Sequence, residues 1–225
     1  AILSKFDYVY NNVNNITQIT ENQTEIHSYT NDLLGQLTGA IHTNSILPTE
    51  TYSYDSVMNR TSSAISSSYN YNAGDRLLED DQFTYIYDDN GNMTSKTEKS
   101  SSQITTCTYD SLNQLIRIDF PNSTYAEYKY DAFGKRIQKD VNGTKIKYIY
   151  NIQNLLEERD VNNNVVAKYV YGNKIDEVIE MDRGGNKYYY HKDILGSIRQ
   201  ITDASGNTIR EYKYDSFGKI VSESG

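Results

Sequence analysis

The chain has 225 residues, a formal net charge of −8 and a single cysteine, Cys107. An acidic surface repels phosphate backbones, which argues against a nucleic-acid partner, and one cysteine excludes an intrachain disulfide framework. No apolar run reaches the about 20 residues that a membrane-spanning helix needs. The N-terminus, AILSKFDYVY, has no basic segment followed by an apolar stretch, so no signal peptide is visible and we expect the interior of a longer protein.

A repeated motif, Tyr-x-Tyr followed by Asp or Asn, runs through the chain. Twenty of the 22 tyrosines lie one or three positions before the fourth residue of a unit, which indicates a repeat protein. The fourth residue falls, in chain order, at Asn11, Asp32, Asp55, Asn72, Asp88, Asp110, Asp131, Asn151, Gly172, His191 and Asp215.

Each unit predicts a strand, a turn and a second strand. Side chains alternate along a strand, so the two tyrosines share one half-buried face. The Asp or Asn starts a turn, and three residues later comes a residue type that tolerates positive φ. These residues are Gly35, Gly91, Gly134, Gly218, Asn14, Asn113 and Asn154.

Residues 1–84 contain degenerate units. Asn31 replaces a tyrosine, and Met58 and Asp75 replace the turn glycine. The segment 30–40, TNDLLGQLTGA, is the one helix candidate, but Gly35 interrupts it on the repeat phase, so we predict a strand pair. In the same region we expect His27 and His42 to be surface residues in irregular segments without partners.

Residues 85–187 contain regular units, with a second turn midway between many of them. These second turns are predicted at 120–124, 141–144, 161–165 and 182–187, and again at 203–207, with Pro121 fixing φ in the first of them. Two strands for every unit give about 22 strands in a continuous antiparallel meander. The predicted structural residues are Tyr85, Tyr87, Asp88, Gly91, Tyr109, Asp110, Tyr128, Tyr130, Asp131, Gly134, Tyr148, Tyr150, Tyr169 and Tyr171.

Residues 188–225 end the array with Tyr212, Tyr214, Asp215 and Gly218. Here we predict that His191 takes the place of the turn aspartate and that Gly196 follows at a longer spacing. His191 and Asp193 can be interpreted as metal ligands or as an acid–base pair, but the repeat phase favours a structural role.

Other candidate sites have structural explanations. The tyrosine stripe is a possible glycan platform, but eleven copies in phase favour cross-strand packing. The segment 87–95 resembles the start of an EF-hand loop, yet Lys99 stands where the twelfth-position glutamate belongs. Cys107 occupies the place of a first tyrosine, which predicts packing rather than nucleophilic catalysis.

Paired carboxylates also fail to predict catalysis. The pairs Asp80–Asp81 and Glu157–Glu158 would point to opposite faces of a strand, so they cannot converge on one substrate. We therefore expect no catalytic residue, no cofactor and no metal, and hence not an enzyme.

The repeat resembles that of a known family. YKYDAFGKRIQ (128–138), YIYDDNGNMTSK (85–96), YSYDSVMNRTS (52–62) and CTYDSLNQLIRIDFPNST (107–124) are similar to the YD repeats of Rhs proteins, of insecticidal toxin complexes and of teneurins. The stretch 188–220, with HKDILGS, resembles the segment that closes the Rhs repeat array.

The resemblance implies an all-β fold, a repetitive antiparallel β-hairpin meander that curls into part of a spiral YD-repeat shell around a toxin or other cargo polypeptide. The partners would be the remainder of the same shell or further copies, joined at unpaired strand edges. The implied location is secreted or on a bacterial cell surface. The alternative is a cell-surface adhesion module that binds glycan or protein through the outer sheet face.

Overall fold

A computed structural model describes residues 4–44, 46–174 and 176–225. The regular elements in these residues are 23 β-strands. No helix that could span a membrane occurs in these ranges. The strands are β1 (Phe6–Tyr10), β2 (Ile16–Glu21), β3 (Glu25–Asn31), β4 (Leu37–His42), β5 (Glu50–Thr51), β6 (Ser53–Tyr54), β7 (Arg60–Ser62), β8 (Tyr69–Tyr71), β9 (Leu77–Asp80), β10 (Phe83–Tyr87), β11 (Met93–Glu98), β12 (Ile104–Tyr109), β13 (Leu115–Asp119), β14 (Tyr125–Tyr130), β15 (Arg136–Val141), β16 (Thr144–Tyr150), β17 (Leu155–Arg159), β18 (Val165–Tyr171), β19 (Val178–Arg183), β20 (Asn186–Lys192), β21 (Ile198–Asp203), β22 (Thr208–Tyr214) and β23 (Ile220–Ser224).

The strands follow one another in space in the order of the sequence. Strands β1 to β5 form one sheet, β6 and β7 form a hairpin, and β8 to β23 form a 16-stranded sheet in consecutive order. The predicted antiparallel meander of hairpins is therefore confirmed. The segment 30–40 is a strand pair as predicted, because β3 ends at Asn31 and β4 begins at Leu37.

The chain divides into two compact units. Unit 1 contains the residues up to Asn70 together with Lys192–Gln200 and Arg210–Gly225, so the first strands of the chain pack with the last ones. Unit 2 contains Tyr71–His191 and Ile201–Ile209. The division of the sequence at residues 84 and 187 follows repeat regularity and stays a prediction.

The repeat turns share one geometry, which Asp131 illustrates. Its amide donates to the carbonyl of Lys135, and its carbonyl accepts from the amide of Gly134. Its Oδ1 accepts from the amides of Phe133 and Lys135, both at 2.9 Å. Gly134 has a φ of 78°. This is a type I turn followed by a left-handed residue and a bulge, a common three-residue hairpin loop.

Degenerate units keep this geometry. Met58 has a φ of 73° and Asp75 a φ of 58°, although neither is glycine. The turn at Asn151 differs, because its amide already bonds to the carbonyl of Asn154. Asn154 is not among the described residues with positive φ, so the prediction for that residue is wrong. The loop is one residue shorter and needs no left-handed residue.

The second turns also lie where the sequence predicts them. Ser123, Asn142, Asn163, Gly184 and Gly206 all have positive φ and close the five predicted loops. These turns connect β13 to β14, β15 to β16, β17 to β18, β19 to β20 and β21 to β22. Each repeat unit therefore contributes two strands, as predicted.

The second tyrosine of a unit caps a backbone carbonyl of the preceding unit. Pairing between β13 and β14 stops at Arg117 opposite Glu127, which leaves the carbonyl of Leu115 outside the ladder. The hydroxyl of Tyr130 donates to that carbonyl at 2.7 Å. An unpaired buried carbonyl costs free energy, so the position requires tyrosine rather than phenylalanine. The same bond recurs in the pairs Tyr54–Leu37, Tyr87–Leu77, Tyr109–Met93, Tyr150–Arg136 and Tyr214–Ile198.

The packed layer is thin. The buried apolar residues among those described are Ala40, Leu47, Tyr52, Ala126, Tyr148 and Ala167. Most tyrosines are half-buried, and Tyr10 alone among the 22 is exposed. The residue between the two tyrosines lies on the opposite face, where Ile86 is 60% exposed and Val170 is 53% exposed. Apolar atoms therefore lie on both faces of the sheet.

Candidate functional site

The predicted repeat residues occupy strand ends and turns. Tyr85 and Tyr87 lie in β10, Tyr109 in β12, Tyr128 and Tyr130 in β14, Tyr148 and Tyr150 in β16, Tyr169 and Tyr171 in β18, and Tyr212 and Tyr214 in β22. Asp88, Asp110, Asp131 and Asp215 begin turns, and Gly91, Gly134 and Gly218 have positive φ in them. These residues recur along the sheet and do not converge on one place.

The prediction that His191 takes the place of the turn aspartate is wrong. His191 lies within β20, where its Nε2 is 2.9 Å from Oγ1 of Thr202. Asp193 begins the turn instead, because its Oδ1 accepts from the amides of Leu195 and Ser197, and Gly196 has a φ of 87°. The Asp-x-x-Gly spacing of DILG matches that of DAFG at 131–134, and this signal identifies the turn aspartate.

Cys107 has no feature of a catalytic nucleophile. It is half-buried in β12, and burial raises the pKa of its thiol, which disfavours the reactive thiolate. The adjacent carboxylates Glu157 and Glu158 have different partners: Glu157 pairs with Arg159, and Glu158 accepts from Tyr169 and Arg183. They do not converge on one position.

A group of charged side chains that the sequence did not identify lies inside unit 1. We call it the buried polar cluster. It brings together strands from both ends of the chain. Its members are Glu21, Glu25, His27, His42, Glu50, Arg199 and Lys213.

Strand register places the N-terminal members of the cluster side by side. His27 of β3 is paired with Ile19 of β2 and with His42 of β4. Glu21 and Glu25 face each other where β2 and β3 meet. Because residues opposite each other on an antiparallel pair have Cβ atoms about 5 Å apart, these side chains are in contact distance on one face.

The two histidines form a relay that ends on a buried carboxylate. Nδ1 of His27 is 2.9 Å from Nδ1 of His42, and Nε2 of His42 is 3.1 Å from Oε1 of Glu50. Both rings are inaccessible, since the side chains are 5% and 2% exposed. A ring that accepts at Nδ1 is neutral, so this contact holds at most one imidazolium.

Glu50 is 1% exposed and is the most fully buried large side chain among the described residues. Besides His42, it accepts from the hydroxyl of Tyr52 and from the amide and hydroxyl of Ser216. Burial alone would raise the pKa of the Glu50 carboxyl, but these hydrogen bonds outweigh burial and lower it. The carboxylate is therefore held ionised by donors from both ends of the chain.

Two cations from the last strands complete the cluster. Arg199 of β21 donates to Oε2 of Glu21 at 2.7 Å, and Lys213 of β22 donates to Oε2 of Glu25 at 2.7 Å. Burial would raise the pKa of the Glu21 carboxyl, but pairing with His27 and the charges of Arg199 and Lys213 lower it overall. These bonds join residues 178 and 188 positions apart.

Four members of the cluster line a cavity of about 400 Å³: Glu21, His27, His42 and Arg199. Its walls include the rings of Phe6, Tyr8 and Tyr29, and Arg199 lies over the Phe6 ring at 5.2 Å. Small-molecule sites have such volumes and combine apolar walls with a few polar groups. The cavity is thus one place in unit 1 where a ligand can be held.

The prediction that His27 and His42 are partnerless surface residues is wrong. Both lie in strands and both are hydrogen-bonded. Alternation along β3 contains the missed signal, because His27 lies two residues before Tyr29 and so shares its face. The sequence offered no local signal for Arg199 or Lys213 as partners.

Comparison with known proteins identifies the repeat. A model of the teneurin YD-shell matches residues 4–225. The tRNA nuclease WapA of Bacillus subtilis is 32% identical over 164 residues, which is 72% of this chain and 6% of the relative. The double-stranded DNA deaminase toxin A of Burkholderia cenocepacia is 25% identical over 202 residues, 76% of this chain and 14% of the relative.

Solved structures give the same result for the fold. The Photorhabdus luminescens Tc holotoxin pore is similar over 99% of this chain and 15% of its own, with a TM-score of 0.51 and 13% identity. The chain thus spans a small part of each of these proteins. The repeat pattern, the consecutive antiparallel hairpins and the match over residues 4–225 agree, and the chain belongs to the teneurin YD-shell family of YD-repeat proteins.

Proposed function

We propose that this chain is a segment of a shell wall that encloses a toxin or other cargo polypeptide and that it has no catalytic activity of its own. The supporting observation is the sheet of 16 consecutive strands, in which several tyrosine hydroxyls bond to a carbonyl of the repeat unit before. Such a layer extends in one direction by adding units and builds a surface rather than a pocket for chemistry.

The thin core supports this role. With few apolar residues buried, the sheet leaves Ile86, Ile149 and Val170 exposed on the face opposite the tyrosines. A wall gains stability when further shell or cargo covers such residues. Strands β1 and β23 lie at sheet edges, so the remainder of the same shell or another copy can pair with them.

The names of the relatives agree with a place in toxins. WapA is named as a tRNA nuclease and the Burkholderia protein as a DNA deaminase toxin. Because this chain matches a small part of each, a wall role does not require it to carry the activity in the name. We infer a secreted or cell-surface location in a bacterium on the same grounds.

The adhesion alternative lacks a supporting observation. A platform made of the tyrosine stripe needs exposed tyrosine faces, whereas Tyr10 is the one exposed tyrosine. The hydroxyls that would contact sugar, such as those of Tyr87 and Tyr130, are bonded to backbone carbonyls.

Limited proteolysis of the natural polypeptide that contains this chain tests enclosure. We expect a segment outside residues 1–225 to resist trypsin until the shell is unfolded. Equal cleavage of every outside segment before and after unfolding would refute enclosure.

A second experiment tests the non-catalytic role: the purified 225-residue chain is incubated with tRNA and with double-stranded DNA. We expect neither cleavage nor deamination, and a turnover that persists through purification would refute the non-catalytic role.

A further inference from the structure

The buried polar cluster carries more negative than positive charge. It contains the carboxylates of Glu21, Glu25 and Glu50 and the cations Arg199 and Lys213, and Asp193 adds a fourth carboxylate 3.7 Å from Arg199. Four carboxylates against two cations leave an excess of two negative charges. Near Glu50, Asp215 adds one negative charge and Arg60 and Lys219 add two positive ones, which reduces the excess to one negative charge.

The contact between Nδ1 of His27 and Nδ1 of His42 needs one donor and one acceptor, so at least one ring is neutral. Carboxylates in a buried place are costly unless their charge is compensated, and a bound cation compensates it.

With both rings neutral, the relay leaves Nε2 of His27 available. The assignment that satisfies every contact with both rings neutral has His42 donating from Nε2 to Glu50 and His27 donating from Nδ1 to His42. Nε2 of His27 then carries a lone pair. It is buried, has no hydrogen-bond partner, and lies 3.6 Å from Oε2 of Glu21.

Two acceptors facing each other at this separation match the ligands of one ion. Ligands about 2.0–2.2 Å from a tetrahedral Zn²⁺ lie about 3.3–3.6 Å apart. Glu21, Glu25 and His27 each offer a donor atom within 4.8 Å of the other two, and they are the one such group in the part of the chain that the structure describes. Closure onto an ion requires side-chain shifts of about an ångström.

We propose that Glu21, Glu25 and His27 bind one divalent transition-metal cation of the Zn²⁺ type. One imidazole and two carboxylates suit such an ion. The surrounding bonds resemble the outer shell of a metal site, where a ligating histidine donates its other nitrogen and ligating carboxylates are themselves hydrogen-bonded. These contacts join His27 Nδ1 to His42, Glu21 Oε2 to Arg199, and Glu25 Oε2 to Lys213. Oε2 of Glu21 would be shared between Arg199 and the ion, and the Oε1 atoms of Glu21 and Glu25 accept no hydrogen bond in the described residues.

The site would join the two ends of the chain. Its ligands come from β2 and β3, while the cations that hold the ligands come from β21 and β22. The inference goes beyond the shell role and does not rest on enclosure of cargo.

The test is isothermal titration of the EDTA-stripped chain with ZnCl₂. We expect one Zn²⁺ per chain and a rise in the thermal midpoint when the ion is added. His27→Gln and Glu25→Gln should each weaken binding at least about tenfold. His191→Gln is the matched control, because this histidine bonds to Thr202 in unit 2, and it should change affinity less than about twofold.

Weaker Zn²⁺ binding by a variant can be separated from loss of its fold. The Glu25 side chain is 31% exposed, so Glu25→Gln keeps its shape at low cost, and circular dichroism of each variant checks the fold. Nitrogen chemical shifts of His27 provide a second readout, since Zn²⁺ should move Nε2 and leave the His191 signals in place. No binding by the wild type, or equal binding by wild type and Glu25→Gln, overturns the proposal.

Discussion

The hydrogen bonds inside unit 1 and those inside unit 2 span different distances along the sequence. In unit 2 the tyrosine hydroxyls of Tyr87, Tyr109 and Tyr150 reach carbonyls 10 to 16 residues away. In unit 1 Glu50 and Ser216 bond across 166 residues, and Lys213 and Glu25 across 188. The difference separates two ways of stabilising the same hairpins. One is a small local bond that is repeated, and the other is a single cluster of charges that depends on both ends of the chain.

The largest effect should come from the cluster. Glu50→Ala leaves buried donors on His42, Tyr52 and Ser216 without an acceptor, and we expect a loss of about 3–5 kcal/mol in the free energy of unfolding. Urea denaturation measures it. Glu79→Ala in unit 2 is the control, because Glu79 is 46% exposed and pairs with Lys99, and it should cost about 0–1 kcal/mol. Equal losses would remove the distinction between the units.

A regular turn in unit 2 should be the next most sensitive place. Gly134 has a φ of 78°, and its Cβ would meet Nε2 of Gln114 at 3.3 Å. Gly134→Val places a β-branched residue in a left-handed conformation, and we expect a loss of about 1–3 kcal/mol. Thermal denaturation beside Lys129→Ala, an exposed change on the preceding strand, checks this. Similar midpoints for the two variants would contradict the turn geometry.

The tyrosine hydroxyl that bonds to a backbone carbonyl makes a smaller contribution to the free energy of unfolding. Tyr130→Phe leaves the carbonyl of Leu115 without its donor, so we expect a loss of about 0.5–1.5 kcal/mol. Tyr125→Phe is the matched control, because Tyr125 lies outside the repeat phase and its ring packs under Arg117 instead. Chemical denaturation should separate the two variants. If Tyr125→Phe costs as much, the cap has no special role.

A degenerate turn in unit 1 offers a gain in stability. Met58 has a φ of 73° and is 65% exposed, so contacts of its side chain offset little of the strain of the left-handed backbone. Met58→Gly should stabilise by about 0.5–1 kcal/mol, the strain relieved less the entropy that glycine adds to the unfolded chain. Met58→Ala keeps the strain and should give no gain in the same denaturation experiment. A gain from alanine would show that the backbone is not strained there.

Raising the pH above 10 should gradually lower the folding stability of both units. Burial raises the pKa of Tyr29 to about 12 and raises that of Tyr109, Tyr130 and Tyr150 above the usual 10.0. A raised pKa in the folded state stabilises the fold below pH 10, and that stability is lost as the pH rises toward the folded value. Absorbance at 295 nm should show tyrosines ionising above pH 10 together with loss of circular dichroism. Ionisation near pH 10 with the fold intact would contradict this.

The sequence predicted what depends on local pattern. Tyrosine spacing and turn residues predicted the hairpins and most of the left-handed positions, but not the left-handed geometry that Asp75 keeps in a degenerate turn. His191 was misplaced because β20 continues two residues past Tyr190, and the length of a strand depends on its neighbours. The buried polar cluster was missed because Glu50, Arg199 and their partners meet only when distant strands pack, which no local window reports.

The capping bond has a consequence for how such a protein changes over generations. Along much of the sheet a repeat unit gives one hydroxyl to the unit before it and offers one carbonyl to the unit after it, as Tyr130 does to Leu115 and Tyr150 does to Arg136. Duplication or loss of a whole hairpin therefore leaves every donor matched to an acceptor, whereas loss of a single strand does not. The number of repeat units can therefore change in steps of about 20 residues, and the length of the sheet can evolve by gene duplication while the bonds between units stay the same.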